Sequence, residues 1–440
     1  MSVLFTNALI LPCTPDMPVI DRGWLRVEGD RIAALGAGHP PDVAGGIDLG
    51  GDVLMPGMVN PHSHLAMSLF RGLGEDVDDR LYRYILPLER EFVTPAMVRA
   101  GTALSALELI QGGVTTVADM YYFETEVAAV LDRAGLRAVV GQTLADFSPP
   151  DHRDFDEGFA RVAELVDRWR GHPRITPSIA PHAPYSTGIA VMARVAAWAE
   201  AHPGLPVQMH VGETGPENDW AAALGLTPVG AVARAGLLRP GLVAAHGLHV
   251  SAQDIALMAE TGVGVAHNAR ANGKGGRGIA PVVAMRAAGI PVGISTDGPM
   301  SGNTLDLFAQ FAPVSMFQKL ASGSRKPMPA VDVIAMATRE GARVLGLERR
   351  VGSLEPGKQA DLIRVSLAAP RMQPVYDIYA ALVFSAMAPD VVDVMVAGQW
   401  LMQGRVVRTM ETAQVMADAA QMAGQFRGRM AQIDQTLRGR

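Results

Sequence analysis

Val53-Leu54-Met55-Pro56-Gly57-Met58-Val59 runs straight into Asn60-Pro61-His62-Ser63-His64. An apolar, β-prone run that ends abruptly in two histidines is the pattern of a buried strand delivering reactive side chains at its carboxyl end. In an extended His-x-His segment both imidazoles fall on one side, where they can chelate a single ion.

The same pattern recurs along the chain. Runs at Leu54 to Val59, Val114 to Ala118, Ala138 to Thr143, Ile175 to Ala180, Val207 to Val211, Leu242 to Ala245, Val263 to Ala266 and Val292 to Ser295 read as strands. Segments of helical periodicity separate them, among them Pro95 to Gln111, Glu124 to Ala134, Phe155 to Trp169, Ile189 to Ala201 and Val229 to Ala235. Eight β/α units predict a TIM barrel over residues 55–350. The flanks, 1–54 and 351–409, carry short strand-like pieces punctuated by Gly, Pro and Asp, and neither has the bulk for a core of its own. They are expected to meet in one small β-sandwich domain. Residues 410–440 read as a C-terminal helix packed on the barrel or on a second subunit.

Composition narrows the partners. The 440 residues are 49% hydrophobic and carry a net charge of -6, with no cluster of Lys and Arg, which argues against nucleic acid or an anionic membrane as partner. The one cysteine, Cys13, excludes an internal disulfide and a thiolate metal site. No secretory signal or long apolar span is evident, so a cytoplasmic location is expected.

In a TIM barrel, chemistry sits at the carboxyl ends of the strands. The residues there are His62 and His64 after strand one, His182 after strand four, His210 on strand five, His246 after strand six, His267 after strand seven and Asp297 after strand eight. Any one has an ordinary explanation: a core histidine that finds a hydrogen bond, or an aspartate capping a turn. Their joint placement points to an imidazole and carboxylate site for Zn²⁺, with Fe²⁺ accepting the same donors. Glu213 lies three residues beyond His210, in reach of a substrate atom for proton transfer. His249 reads as a supporting group, and His39, His152, His172 and His202 as surface residues. The strand-seven segment 267–278, rich in Gly with three cations, reads as a mobile lid, with an anion-binding loop as the alternative.

Pro56-Gly57-Met58-Val59-Asn60-Pro61-His62-Ser63-His64, Pro181-His182-Ala183-Pro184-Tyr185, His210-Val211-Gly212-Glu213, Ala245-His246, His267-Asn268 and Ser295-Thr296-Asp297-Gly298 together resemble the amidohydrolase superfamily. The likeness is to the branch of the methylthioadenosine/S-adenosylhomocysteine deaminases and triazine hydrolases. The resemblance implies one metal held by His62, His64, His210 and Asp297, with Glu213, His246 and Asp297 as the catalytic groups. Binuclear relatives use a bridging modified Lys on strand four, and Ile175 to Ala180 has none. It further implies substrate contacts from Glu89 and His182, and from Gln142, which stands where those deaminases carry an arginine. The expected reaction is hydrolytic removal of ammonia from an adenine nucleoside such as 5'-methylthioadenosine, adenosine or S-adenosylhomocysteine, by a homo-oligomer. Guanine-like, 8-oxoguanine or other aminated heterocycles, triazines and cyclic amides are alternatives, and a non-catalytic scaffold barrel is a more distant one.

Overall fold

The computed structural model describes residues 2–40, 45–77 and 79–438. Met1 and residues 41–44 of the N-terminal flank, Asp78, and residues 439–440, where the sequence reading ended its C-terminal helix, lie outside the described residues. Among those described, the strands form two sheets.

The larger sheet has eight strands in sequential order: Met58–Asn60, Val114–Tyr121, Arg137–Leu144, Ile175–Pro181, Val207–Val211, Leu242–His246, Gly264–His267 and Val292–Ile294. Neighbours pair in parallel throughout. Their residues are buried almost without exception, as strands covered by helices require. Helices follow at Pro95–Gln111, Glu124–Ala134 and Phe155–Trp169, as the periodicity predicts. Thr94 and Asp154 cap the first and third of these by accepting from the backbone N–H of Met97 and Glu157. The helix expected from Ile189 instead begins at Pro184 and breaks at Gly188, whose φ of +73° suits glycine.

The flanks form one continuous nine-stranded mixed sheet around its own apolar core, including Phe5, Ile10, Leu25, Leu54 and Met395. It contains a strand that the sequence reading gave to the barrel. The run Leu54 to Val59 divides at Gly57: Val53–Pro56 pairs antiparallel with Leu362–Val365 in the small sheet, and Met58–Asn60 opens the barrel. Crowding accounts for glycine at the division, because a Cβ there would lie 2.1 Å from Thr115 Cγ2.

Two buried contacts bind the parts. Arg137, 1% exposed at the start of the third barrel strand, donates from Nε to Asp361 Oδ2 at 2.9 Å and from Nη2 to Asp361 Oδ1 at 3.2 Å. The C-terminal helix, Thr412–Arg438, lies on the barrel: Phe426 packs against Phe70 and Phe92, with ring centroids 5.1 and 5.2 Å away. No helix among the described residues is long and apolar enough to cross a membrane.

Candidate active site

The strand ends bring the histidines together. His62, His64 and His210 place one ligating atom each within 4.8 Å of one another, and so do His62, His246 and Asp297. His62 belongs to both sets. Asp297 Oδ1 lies 3.4 Å from His64 Nε2 and 3.7 Å from His62 Nε2.

Backbone acceptors orient the rings. His64 Nδ1 donates to the Met120 carbonyl at 2.6 Å and His210 Nδ1 to that of His182 at 2.7 Å, which leaves both Nε2 lone pairs for a cation. His62 Nε2 is buried without a hydrogen-bond partner, an arrangement that costs free energy unless a ligand satisfies it. Burial lowers the His62 pKa to about 4, which keeps it neutral. Burial works the same way on His64, but the Asp297 carboxylate outweighs it and raises the pKa to about 9, so a cation takes its Nε2 lone pair by displacing a proton. These donors fit a divalent cation of the zinc type.

His246 and Asp297 both have left-handed backbones, with φ of +76° and +60°. Strain of this kind persists where the surroundings over-determine it, often at sites of chemistry. His246 Nδ1 donates to Asn272 Oδ1 at 2.9 Å, and its Nε2 faces Glu213 Oε1 at 3.5 Å. Burial disfavours the Glu213 anion, yet His246 and Arg277 more than compensate and hold its carboxyl below the usual range.

Two groups that position Glu213 and His246 were missed by the sequence reading. Glu217 accepts the backbone N–H of Gly212 at 2.8 Å and of Glu213 at 2.7 Å, fixing the loop that carries Glu213. Its signal was present as Thr214-x-x-Glu217, a helix-start pattern. Asn272 had no such local cue.

The strand-seven segment differs from the lid expected. Ala269–Lys274 is a short helix, tied down by Lys274 on Glu75, Arg270 on the Gly302 carbonyl and Arg277 on Glu213. Its cations are engaged in long-range bonds that local composition does not reveal. His152, read as a surface residue, is buried, with Nδ1 donating to Asp151 Oδ1 at 2.7 Å.

Of the expected substrate contacts, Glu89 and His182 are among the site's neighbours. Tyr121 donates its hydroxyl to Glu89 Oε1 at 2.7 Å, and burial raises the Glu89 pKa to about 7. His182 packs against His210 with ring centroids 4.8 Å apart and planes tilted by 55°, and pairs through Nδ1 with Ser186 Oγ at 2.8 Å. Gln142 is not brought to this cluster. Its amide donates to Asp151 Oδ2 at 2.9 Å and to the Thr143 carbonyl at 3.3 Å, so both N–H groups are taken up within the protein.

A parallel barrel with imidazoles and a carboxylate converging at its carboxyl end is the build of a hydrolase, here one acting on carbon–nitrogen bonds. The chain belongs to the amidohydrolase family, whose profile matches residues 53–401. It is 37% identical to a 5-methylthioadenosine/S-adenosylhomocysteine deaminase of Syntrophobacter fumaroxidans, over 94% of this chain and 96% of that one. It is also 37% identical to one of Desulforudis audaxviator, over 96% and 98%. Among solved structures, an adenosine deaminase from Xanthomonas campestris with bound zinc superposes with a TM-score of 0.93 at 34% identity, covering 97% of this chain and 98% of that one. The zinc complex of an atrazine chlorohydrolase from Arthrobacter aurescens shares the fold, with a TM-score of 0.88 at 20% identity over 96% and 100% of the two chains.

Proposed function

We propose that this chain is a single-metal deaminase of adenine nucleosides, with His62, His64, His210 and Asp297 holding a zinc ion. The convergence of Glu213, His246 and Asp297 on the His62, His64 and His210 cluster carries the reading. The relatives named as methylthioadenosine/S-adenosylhomocysteine deaminases and as adenosine deaminase support the substrate class.

A cation bound there supplies a water of lowered pKa close to the substrate. Asp297 receives a proton from the attacking water. Glu213, held by Glu217, flanked by His246 and ionised at rest, takes up a proton from the attacking water and delivers it to the ring nitrogen beside the carbon under attack. His246 stabilises the tetrahedral centre. Asp297 passes its proton to the departing amino group, the C–N bond breaks, and loss of ammonia leaves a lactam. Glu89 accepts hydrogen bonds from the ribose hydroxyls, and His182 contacts the nucleoside. With Gln142 engaged on Asp151, it offers no cation to a homocysteine carboxylate, so methylthioadenosine and adenosine are favoured over S-adenosylhomocysteine. A homo-oligomer in the cytoplasm belongs to the same reading, and light scattering on purified protein tests the assembly.

The deciding experiment is ammonia release by zinc-loaded protein from methylthioadenosine, adenosine, S-adenosylhomocysteine, guanine and a triazine. Turnover of the adenine nucleosides is expected, with kcat reduced roughly 10²- to 10⁴-fold in Glu213→Gln. No ammonia from any adenine nucleoside, with zinc content verified, would overturn the proposal.

A further inference from the structure

We propose that Asp119 is a positioning residue for the metal site: it clamps together the segments that carry His64 and His210, and a neutral, proton-donating Glu124 holds it in place. The inference rests on the metal-site reading and goes beyond it, since neither carboxyl belongs to the ligand set.

Asp119 lies near the end of the second barrel strand, Val114–Tyr121, and is fully buried. Its Oδ1 accepts the Leu65 N–H at 2.6 Å, one residue past His64. The next residue, Met120, donates its N–H to the Ser63 carbonyl at 3.0 Å, and its own carbonyl accepts from His64 Nδ1 at 2.6 Å. Successive residues Ser63, His64 and Leu65 are thus gripped by Asp119 and Met120. The Asp119 carbonyl in turn accepts Gln208 Nε2 at 3.0 Å, two residues before His210. Gln208 reaches it past Gly141, where a Cβ would lie 2.7 Å from Gln208 Nε2. Glycine at 141 keeps that crossing open.

The remaining oxygen of Asp119 explains Glu124. Asp119 Oδ2 and both Glu124 oxygens are buried without a partner among the N–H and hydroxyl donors of the described residues, and the two carboxyls meet each other instead. Two carboxylates in contact at a buried site do not both ionise, so the pair keeps one proton. The Leu65 N–H stabilises the anion on Asp119, which leaves the proton on Glu124, directed at Asp119. Glu124 opens the helix Glu124–Ala134, a place that ordinarily favours an anion. Burial and the facing carboxyls of Asp119 and Asp151 outweigh that preference and the nearby Tyr121 backbone, and hold the Glu124 carboxyl well above its usual range.

Zinc dissociation constants, by competition with a chromogenic chelator, compare the wild type with Glu124→Gln, Glu124→Leu and Asp119→Ala. The visible spectra of the cobalt-substituted proteins report the geometry of the ligands. Glutamine keeps an N–H aimed at Asp119, so Glu124→Gln should bind zinc like the wild type. Glu124→Leu and Asp119→Ala should bind it roughly 10- to 100-fold more weakly, as on loss of a group that orients a ligand, with altered cobalt spectra. The infrared difference between wild type and Glu124→Gln at neutral pH should contain the C=O stretch of a protonated carboxyl. Glu124→Gln as weak as Glu124→Leu, or a difference showing carboxylate bands alone, would make Glu124 an anion and overturn the proposal. Unchanged zinc affinity and cobalt spectrum in Asp119→Ala would overturn it as well. Should the Leu or Ala variant fail to fold, Gln208→Leu, which releases the Asp119 carbonyl, takes its place, and an unchanged cobalt spectrum there overturns the clamp. A wild type that binds no zinc defeats the metal-site reading, while the infrared difference still judges the pair.

Discussion

Asn60 Nδ2 donates to Thr296 Oγ1 at 2.8 Å, and Asn60 Oδ1 accepts the Thr296 backbone N–H at 3.2 Å. These two bonds join the first barrel strand to the segment after the last, one residue before Asp297 and two before His62. Both residues are fully buried. Asn60→Leu strands the buried Thr296 N–H, whereas the Thr296 hydroxyl keeps its bond to the Asp297 carbonyl, at a cost of about 1–3 kcal/mol. Urea unfolding should record that loss, and zinc content after dialysis should fall with it, because the seam sets the spacing between His62 and Asp297. Full zinc retention would separate the seam from the site.

Arg137 and Asp361 are each nearly inaccessible, and Asp361 Oδ1 also accepts the Ala397 N–H at 2.7 Å. Breaking such a pair from one side leaves an uncompensated buried charge. Asp361→Ala is expected to cost about 3–5 kcal/mol, and Arg137→Met with Asp361→Leu much less than the sum of the single changes. A double-mutant cycle by chemical denaturation checks this.

Removal of metal should destabilise the fold. A ligand that binds only the native state stabilises by about 2.7 kcal/mol at a hundred times its Kd. Chelation should therefore lower the melting temperature, and zinc should restore it. His210→Ala should show little change on chelation, since its metal affinity is already reduced.

The raised pKa of Glu89 has a signed consequence. Burial lifts it from 4.5 to about 7, so the folded state holds this proton more tightly than the unfolded one. Its contribution to stability is most favourable below 4.5, falls as pH rises toward 7 and is level above that. The total is on the order of 3 kcal/mol. The difference in unfolding free energy between wild type and Glu89→Gln, measured on metal-free protein from pH 4.5 to 8, should follow this curve. A flat difference would show that the carboxyl is ionised in the fold.

What the sequence revealed and what it hid divide by distance along the chain. The barrel strands were legible because β-prone apolar runs and helical periodicity are local signals, and the histidines at their ends stood out for the same reason. The partition of Val53 to Asn60 between two sheets was not, because Val53–Pro56 finds its partner at Leu362–Val365, some three hundred residues on. The strand-seven segment was misjudged on similar grounds. Its glycines suggested mobility, whereas Lys274 is anchored by Glu75 and Arg277 by Glu213. Gln142 was placed by analogy of position, and the neighbour that engages it, Asp151, lies in a loop without a motif.

Gly57 separates Pro56, bonded into the terminal sheet, from Met58, the first residue of the barrel ladder. The histidine pair His62 and His64 is thus tethered, through a handful of residues of taut extended chain, to a sheet built from both ends of the polypeptide. That sheet is the nearest fixed structure behind the reacting centre, so trimming at either terminus is expected to be felt at the imidazoles. Truncations and circular permutations at the chain ends are therefore expected to register in metal affinity, although they are made in the other domain.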